Sequence, residues 1–476
     1  MSYALYVGKN LTAGGHAWLA GYGDEPSSHW LEIIPRTRHK KGETVRVGVT
    51  AEADLPGRQT DIPQASETCR HIRVSYSYYK GVPAPITNGG LNEYGVAVRD
   101  VWSQSRDELE AMTPKDQTGP NYSDLARLVL ERATTAREGV ELIGKMIADY
   151  GESSYGGNSH LIADPDEAWV MIQFAGGQGL WAAERLGANS IRASRPGYIG
   201  IVPIDAPDHP DYLYSENLVS FARDKGWYSD GPFDINKILG DGKGRWEGVR
   251  WIEAEMAKRA ASDGKINLAD MMWAIRTSHL TGDTAGYGQV VPLLHPTSDS
   301  LRMLWHAAIG PIAAPFAPVF MGQLSVPEEF QMHRYLTAGE AHRFMDGHRN
   351  DDGTGDTRSV ATQGAECTSS AVYECKRLLY LMLHDPERYL ADTTQAFEDL
   401  EARTARQVDT ISKAAEVLLN QGEDDLAHSL ITYFSTTELL AGLDLVKTLS
   451  ASIEARIRVG GGFAREVKAK TLPQKW

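Results

Sequence analysis

The chain has 476 residues, 42% hydrophobic and 23% charged, with a net charge of -15, a pI near 5.4 and a mean hydropathy of -0.35. This is the composition of a soluble globular protein of two or three domains, or of one large layered domain with additions. The acidic excess repels nucleic acid and anionic membranes, and no stretch approaches the roughly 20 apolar residues that a membrane helix needs.

Cys69, Cys367 and Cys375 are the three cysteines. So sparse and odd a set argues against a disulfide framework and fits a reducing cytoplasm. Cys69, in Glu67-Thr68-Cys69-Arg70 before a strand-like run, reads as structural. Cys367 and Cys375 have no close His pair and do not make a zinc motif. There is no nucleotide-binding glycine fingerprint either, so neither a cofactor nor a metal is expected.

The chain opens Met1-Ser2-Tyr3-Ala4-Leu5-Tyr6-Val7-Gly8-Lys9. Tyr3 to Val7 predicts a buried strand, Gly8 to Gly15 carries turn chemistry, and Ala17 to Ala20 begins a second strand. No charged leader or cleavage site precedes them, so the mature chain is expected to start here. A small second residue favours removal of Met1. Ser2 then carries a hydroxyl and a free α-amine on one carbon. With a pKa of roughly 7.7–8.0 that amine is a base near neutral pH, which is one way to activate a weak nucleophile.

Residues 28 to 34 and 44 to 49 read as two strands joined by the turn at Lys40-Lys41-Gly42. Ile72, Val74, Tyr76 and Tyr78 alternate like a half-buried strand. Asn88-Gly89-Gly90 and Asn92-Glu93-Tyr94-Gly95 are turn sequences feeding a strand that ends at Arg99-Asp100. Ser123 is the expected cap of a helix bearing Leu125, Leu128 and Val129, and a second helix runs from Thr135 to Asp149 and stops at Gly151. Strands return at His160 to Asp164, Ala168 to Ile172, Leu180 to Ala183 and Ser190 to Ser194. Strands, then helices, then strands point to an α+β protein with an antiparallel core and segregated helices.

Helices are expected over 215–225, 246–258 and 268–277, the last capped by Asn267. The apolar run from Ala307 to Gly322 is broken by Pro311, Pro315 and Pro318 and reads as a buried loop. Residues 346–362 form a flexible polar loop, in which the aspartates around Gly353 lack the terminal Glu of a calcium loop. Residues 363–476 are helical and pack on the core or on another subunit, a candidate surface for homo-oligomers. Residues 1–345 would form the main domain.

Several of these segments resemble the N-terminal-nucleophile dipeptidases, the bacterial dipeptidase A and secernin family. Ser2 falls on the family Cys, Gly8-Lys9 on its Gly-Lys, and Trp30-Leu31-Glu32-Ile33-Ile34-Pro35-Arg36 and Gly90-Leu91-Asn92-Glu93 on family segments. The Pro-rich run after Leu304-Trp305-His306 also has a counterpart. The likeness spans roughly residues 2 to 330 and implies the four-layer αββα sandwich shared with penicillin V acylases and bile salt hydrolases. It implies hydrolysis of a small peptide or linear amide with the nucleophile's own amine as base. An Asp holds that amine, an Arg orients the nucleophile and an Asn stabilises the oxyanion.

The carry-over is uneven. Asp24 matches the Asp of the family Arg-x-x-Asp, but Gly21 stands at the Arg. Ser194 stands at the oxyanion Asn, with Arg195 and Asn189 nearby. Arg245 falls near the acylase-type Arg. Ser2, Asp24, Ser194 and Arg245 are thus the expected catalytic set. Asn92, Arg99, Asp100, Asn158, Arg195 and His279 are candidate substrate contacts. Since nucleophile, Arg and Asn have all changed, a binding protein or a diverged reaction on the same scaffold is the alternative.

Overall fold

A computed structural model describes residues 2–23, 29–50, 55–76, 86–153, 156–282, 285–332, 370–461 and 472–476. Fourteen strands build two large sheets: β1 Tyr3–Val7, β2 Ala17–Tyr22, β3 His29–Ile34, β4 His71–Tyr76, β5 Gly89–Asn92, β6 Ala97–Trp102, β7 Asn158–Ala163, β8 Ala168–Gln173, β9 Trp181–Leu186, β10 Ile191–Ser194, β11 Tyr212–Tyr214, β12 Gly288–Leu293, β13 Met303–Ala307 and β14 Ala317–Phe320. The six-stranded sheet has the order β10-β1-β2-β12-β13-β14, and the eight-stranded sheet β11-β9-β8-β7-β6-β5-β4-β3. Every pairing within them is antiparallel. The α+β class read from the sequence holds.

Strand alternation sorts the eight-stranded sheet into two apolar faces. Val98, Ile162 and Trp169 share one row, and Met171 and Ala183 the next on the same face. They pack with Leu125, Leu128, Val140 and Ile143, which belong to helices α1, Tyr122–Arg132, and α2, Ala136–Tyr150. The opposite face, with Ala97, Leu161, Val170 and Ile172, joins the core of the six-stranded sheet. Strand β6 lies against β1 and β2, and β5 against β13. On its far side the six-stranded sheet carries α3, Glu247–Ala260, and α4, Leu268–Arg276. Each fully buried Val, Leu, Ile or Phe on these faces contributes roughly 1.5–3 kcal/mol.

Helices α5, Ala371–His384, α6, Pro386–Asn420, and α7, Asp424–Gly461, pack on one another, and α6 and α7 reach the edge strand β14. Their apolar residues, among them Phe397, Leu378 and Ile431, are continuous with the sheet core. Residues 472–476 return to the body. The Trp476 ring stands 5.5 Å from that of Tyr3, and its indole N–H donates to the Leu280 carbonyl at 2.9 Å.

Four local expectations change. Residues 29–34 and 44–47 do not form a hairpin: β3 pairs with β4, and Thr44–Val47 pairs with Thr60–Pro63. The apolar alternation of Ile72, Val74 and Tyr76 gives β3 a buried partner, whereas among residues 44–47 only Val47 is buried. Gly89 and Gly90 lie in a strand, not a turn. A Cβ there would stand 1.8 Å from the Val98 oxygen and 2.0 Å from the Ile72 oxygen, so bare backbone is what lets β4, β5 and β6 close up. The cap of α1 is Asn121, in a reciprocal capping box with Asp124, because the Ser123 hydroxyl instead accepts the Thr87 N–H at 2.8 Å. Within the proline-broken run, Ala317–Phe320 is a strand, and Pro318 is tolerated because β14 is a sheet edge. The polar loop 346–362 and Cys367 lie outside the described residues. Cys69 is buried, and burial pushes its thiol up to about 11, as a structural cysteine requires.

Candidate active site

The register of the six-stranded sheet lines up one row across five strands. Ala4 pairs with Ser194 on one side and with Gly21 on the other. Gly21 pairs with Gln289, and Gln289 with His306. Residues directly opposite one another point to the same face, so Ser194, Ala4, Gly21, Gln289 and His306 form a strip. That strip looks at the eight-stranded sheet: Gln289 Nε2 donates to the Val98 carbonyl at 3.4 Å, and a Cβ on Gly21 would lie 3.1 Å from Arg99 Nε. Continuing the alternation back from Ala4 sets Ser2 on the same face. Ser2 is partly exposed where Tyr3 is fully buried, so it stands at the open end of β1.

The strip is polar and dry. Ser194 is 0% exposed, Gln289 1% and His306 2%. Ser194 Oγ, Gln289 Oε1 and His306 Nδ1 have no hydrogen-bond partner among the described residues. Burial pushes His306 down to about 3, so its imidazole is neutral at pH 7. Opposite, the fully buried Arg99 places its guanidinium 4.8 Å from the centre of the Tyr287 ring. The Tyr287 hydroxyl donates to the Gly89 carbonyl at 3.3 Å and so ties the two sheets. Gly23 N–H donates to the Tyr287 carbonyl at 3.2 Å, which holds Tyr287 beside the end of β2. This buried seam between the sheets is the slot; its fixed donors and acceptors are shielded from water, and electrostatic interactions strengthen there.

The expected site residues divide sharply. Ser194 and Arg99 line this slot, with Ser2 at its mouth. Asp24 lies outside the described residues. Arg195 is one residue from Ser194 and therefore faces the other way: its Nη1 donates to the Tyr22 hydroxyl at 3.1 Å, and its guanidinium lies 4.1 Å from the Trp476 ring. Asn189 is exposed and accepts from Asn10 at 3.1 Å. Arg245 pairs with Glu253, whose carboxylate also takes the Ala193 N–H at 2.8 Å. That arrangement braces the edge strand β10 from outside. Asn92 spends its side chain on structure, donating to the Leu130 and Ala133 carbonyls at 3.2 and 2.7 Å and accepting from Tyr94 and Val96. Asp100 and Asn158 alternate onto the face that carries α1, with His160. His279 is exposed, its ring 5.1 Å from that of Trp251.

Three residues of the slot were not singled out from sequence: Gln289, Tyr287 and His306. Their only signal is a polar side chain inside a strand-like apolar run, Gly288-Gln289-Val290-Val291 or Leu304-Trp305-His306-Ala307. Among the described residues no group of His, Cys, Asp and Glu could hold a metal ion, and no helix is long and apolar enough to cross a membrane.

The sequence profile of Peptidase family C69 matches residues 54–245, a span that does not include Ser2. A probable dipeptidase B of Streptococcus pyogenes serotype M3 is 28% identical over 250 residues, 50% of this chain and 46% of that protein. A probable dipeptidase of Latilactobacillus sakei is 23% identical over 306 residues, 58% of this chain and 60% of that one. The chain thus spans about half the length of the curated relatives it matches. Among solved structures, a conjugated bile acid hydrolase from Clostridium perfringens covers 71% of this chain and 96% of its own at 12% identity, with a TM-score of 0.30. Over part of its length, the chain is thus similar to Peptidase family C69 and to these probable dipeptidases.

Proposed function

We propose that this protein hydrolyses small peptides or linear amides, with Ser2 as an N-terminal nucleophile after removal of Met1. On this reading the order of helices, sheet, sheet and helices is the four-layer αββα sandwich of N-terminal-nucleophile hydrolases. The observation that supports the proposal is the register of β1: Ala4 lies beside Ser194 on the face toward Arg99, and the alternation carried back from Ala4 brings the partly exposed Ser2 to that same face.

In the reaction the free α-amine takes the hydroxyl proton as Ser2 Oγ bonds to the scissile carbonyl carbon. The carbon–nitrogen bond then breaks, the leaving amine takes that proton, and an ester remains on Ser2. Water, giving a proton to the same amine, cleaves the ester and restores the hydroxyl. Ser194 Oγ is the side-chain donor for the oxyanion, and Asp24 the carboxylate that holds the amine. A reducing cytoplasm is the compartment proposed from the three cysteines, and α5 to α7 the surface for self-association.

A second reading, a binding protein on the same scaffold, is favoured by Gly21, which leaves β2 without a polar side chain beside Ala4. A panel of dipeptides and N-acyl amino acids, offered to protein shown by intact mass to lack Met1, separates the two. Cleavage of a panel member is expected. Binding of members without turnover would overturn the hydrolase reading.

A further inference from the structure

A cavity of about 870 Å³ lies beside the C-terminal end of α2, within the range of roughly 300–1,000 Å³ usual for small-molecule sites. Ile147, Ala148 and Gly151 form one side. Phe174 and Trp181, at the two ends of the loop from β8 to β9, and Tyr214 of β11 form another. Ser194, Gly21, Gln289, His306 and Arg99 are not on its wall, so the cavity is separate from the slot. Its chemistry favours one sign of charge. Glu152 lines it, and Glu152 Oε1 is buried with no hydrogen-bond partner among the described residues. Burial pushes this carboxyl up to about 8, and no positive group offsets that cost. Lys145 is also on the wall, but its Nζ is taken by Asp149 at 2.6 Å. Segments 114–118 and 174–181 bring no charged side chain to the wall, Glu216 is exposed, and burial raises the Tyr214 phenol so that it stays neutral. The end of α2 adds the negative pole of its dipole. The Trp181 indole is seated on bare helix backbone, since a Cβ on Gly144 would stand 2.5 Å from it, and aromatic faces attract cations.

We propose that this cavity binds a small organic ammonium ion, with its charged nitrogen at Glu152 and its apolar body against Phe174 and Trp181. The ammonium N–H donates to the Glu152 carboxylate, a charge-assisted bond in a site poor in water. The proton that the carboxyl carries in the empty cavity passes to solvent when the cation arrives. A metal ion does not fit, because among the described residues no group of His, Cys, Asp and Glu could hold one. The site needs neither Ser2 nor turnover, so it stands or falls apart from the hydrolase reading.

The probe is 2-phenylethylamine, with 2-phenylethanol as its uncharged counterpart, each titrated calorimetrically into the full chain at pH 6, 7 and 8. The amine stays charged over this range, whereas Glu152 gives up its proton as pH rises toward about 8. Affinity for the amine should therefore climb about tenfold between pH 6 and 7 and flatten above 8, while that for the alcohol stays level. At pH 8 the amine should bind at least about tenfold more tightly than the alcohol. Titration in buffers of different ionisation enthalpy should show proton release at pH 7 with the amine alone. Glu152→Gln, close in size, should remove both the pH dependence and the preference, and Trp181→Leu should weaken both probes. Ser2→Ala should change neither. The pH series on the unaltered chain decides the matter even where Glu152→Gln folds poorly. Affinity for the amine that is level from pH 6 to 8, equal binding of amine and alcohol, no heat from either, or a preference that survives Glu152→Gln would overturn the assignment. Loss of amine binding in Ser2→Ala would overturn it too, by placing the amine in the slot.

Discussion

Replacing Glu401 by Gln should loosen the whole molecule, because one ion pair locks the C-terminal helices to the sheet body. Arg276 on α4 and Glu401 on α6 have side chains only 4% exposed each. Arg276 Nη1 donates to Oε2 at 2.9 Å, Nη2 donates to Oε1, and Nε donates to the Pro311 carbonyl at 2.9 Å. Glu401 Oε1 also takes the Phe316 N–H at 2.7 Å. The neutral amide leaves the guanidinium buried without its counter-charge, a loss of roughly 3–5 kcal/mol. In Arg276→Met with Glu401→Leu both charges go, and what remains is the Phe316 N–H and the Pro311 carbonyl left without these partners, the donor costing about 1–3 kcal/mol and the carbonyl less. Urea unfolding followed by tryptophan fluorescence and by circular dichroism reads both. A Glu401→Gln loss below about 1 kcal/mol, or a double variant weaker than the single one, would refute the buried-pair reasoning.

Acid should unfold the protein early. Burial pushes His71 and His306 down to about 3 and His160 to about 4. Their folded values lie below the unfolded 6.5, so the stability they contribute is present above pH 6.5 and lost as pH falls toward 3–4. Each histidine steepens the slope by about 1.4 kcal/mol per pH unit. Urea midpoints between pH 7 and 5 should show this, His160→Gln should flatten the curve by one histidine's share, and a flat curve would contradict it. Gly21→Ala should cost about 1–3 kcal/mol by overpacking, since its Cβ would meet the Tyr3 backbone oxygen at 2.4 Å. A neutral result in thermal unfolding would show that β1 and β2 can part there.

Local chemistry made much of the fold legible. Asn267 caps α4 as expected, in a capping box with Asp270, and Thr135 and Gly151 bound α2. What sequence could not supply was partnership between distant strands. The run at 29–34 carries no mark telling residues 71–76 from 44–47 as its neighbour; burial decided it. The site shows the same limit. Ser194 and Arg195 were both candidates, and a single step of strand alternation sends one into the slot and the other toward Trp476. Asn92 looks like a ligand contact in sequence but is consumed by the end of α1. Gln289 and His306 join Ser194 only through pairings that span residues 4 to 306.

The central claim is that Ser2, freed of Met1, is the nucleophile. The direct measurement is the dipeptide cleavage rate of Met1-free protein carrying Ser2, Ser2→Ala or Ser2→Cys, each confirmed by intact mass. The account predicts that Ser2→Ala abolishes turnover with the fold intact. It also predicts that Ser2→Cys keeps or raises the rate, because a thiol with a pKa near 8.5 is a few per cent thiolate at pH 7. Full activity in Ser2→Ala would place the nucleophile elsewhere and contradict the account.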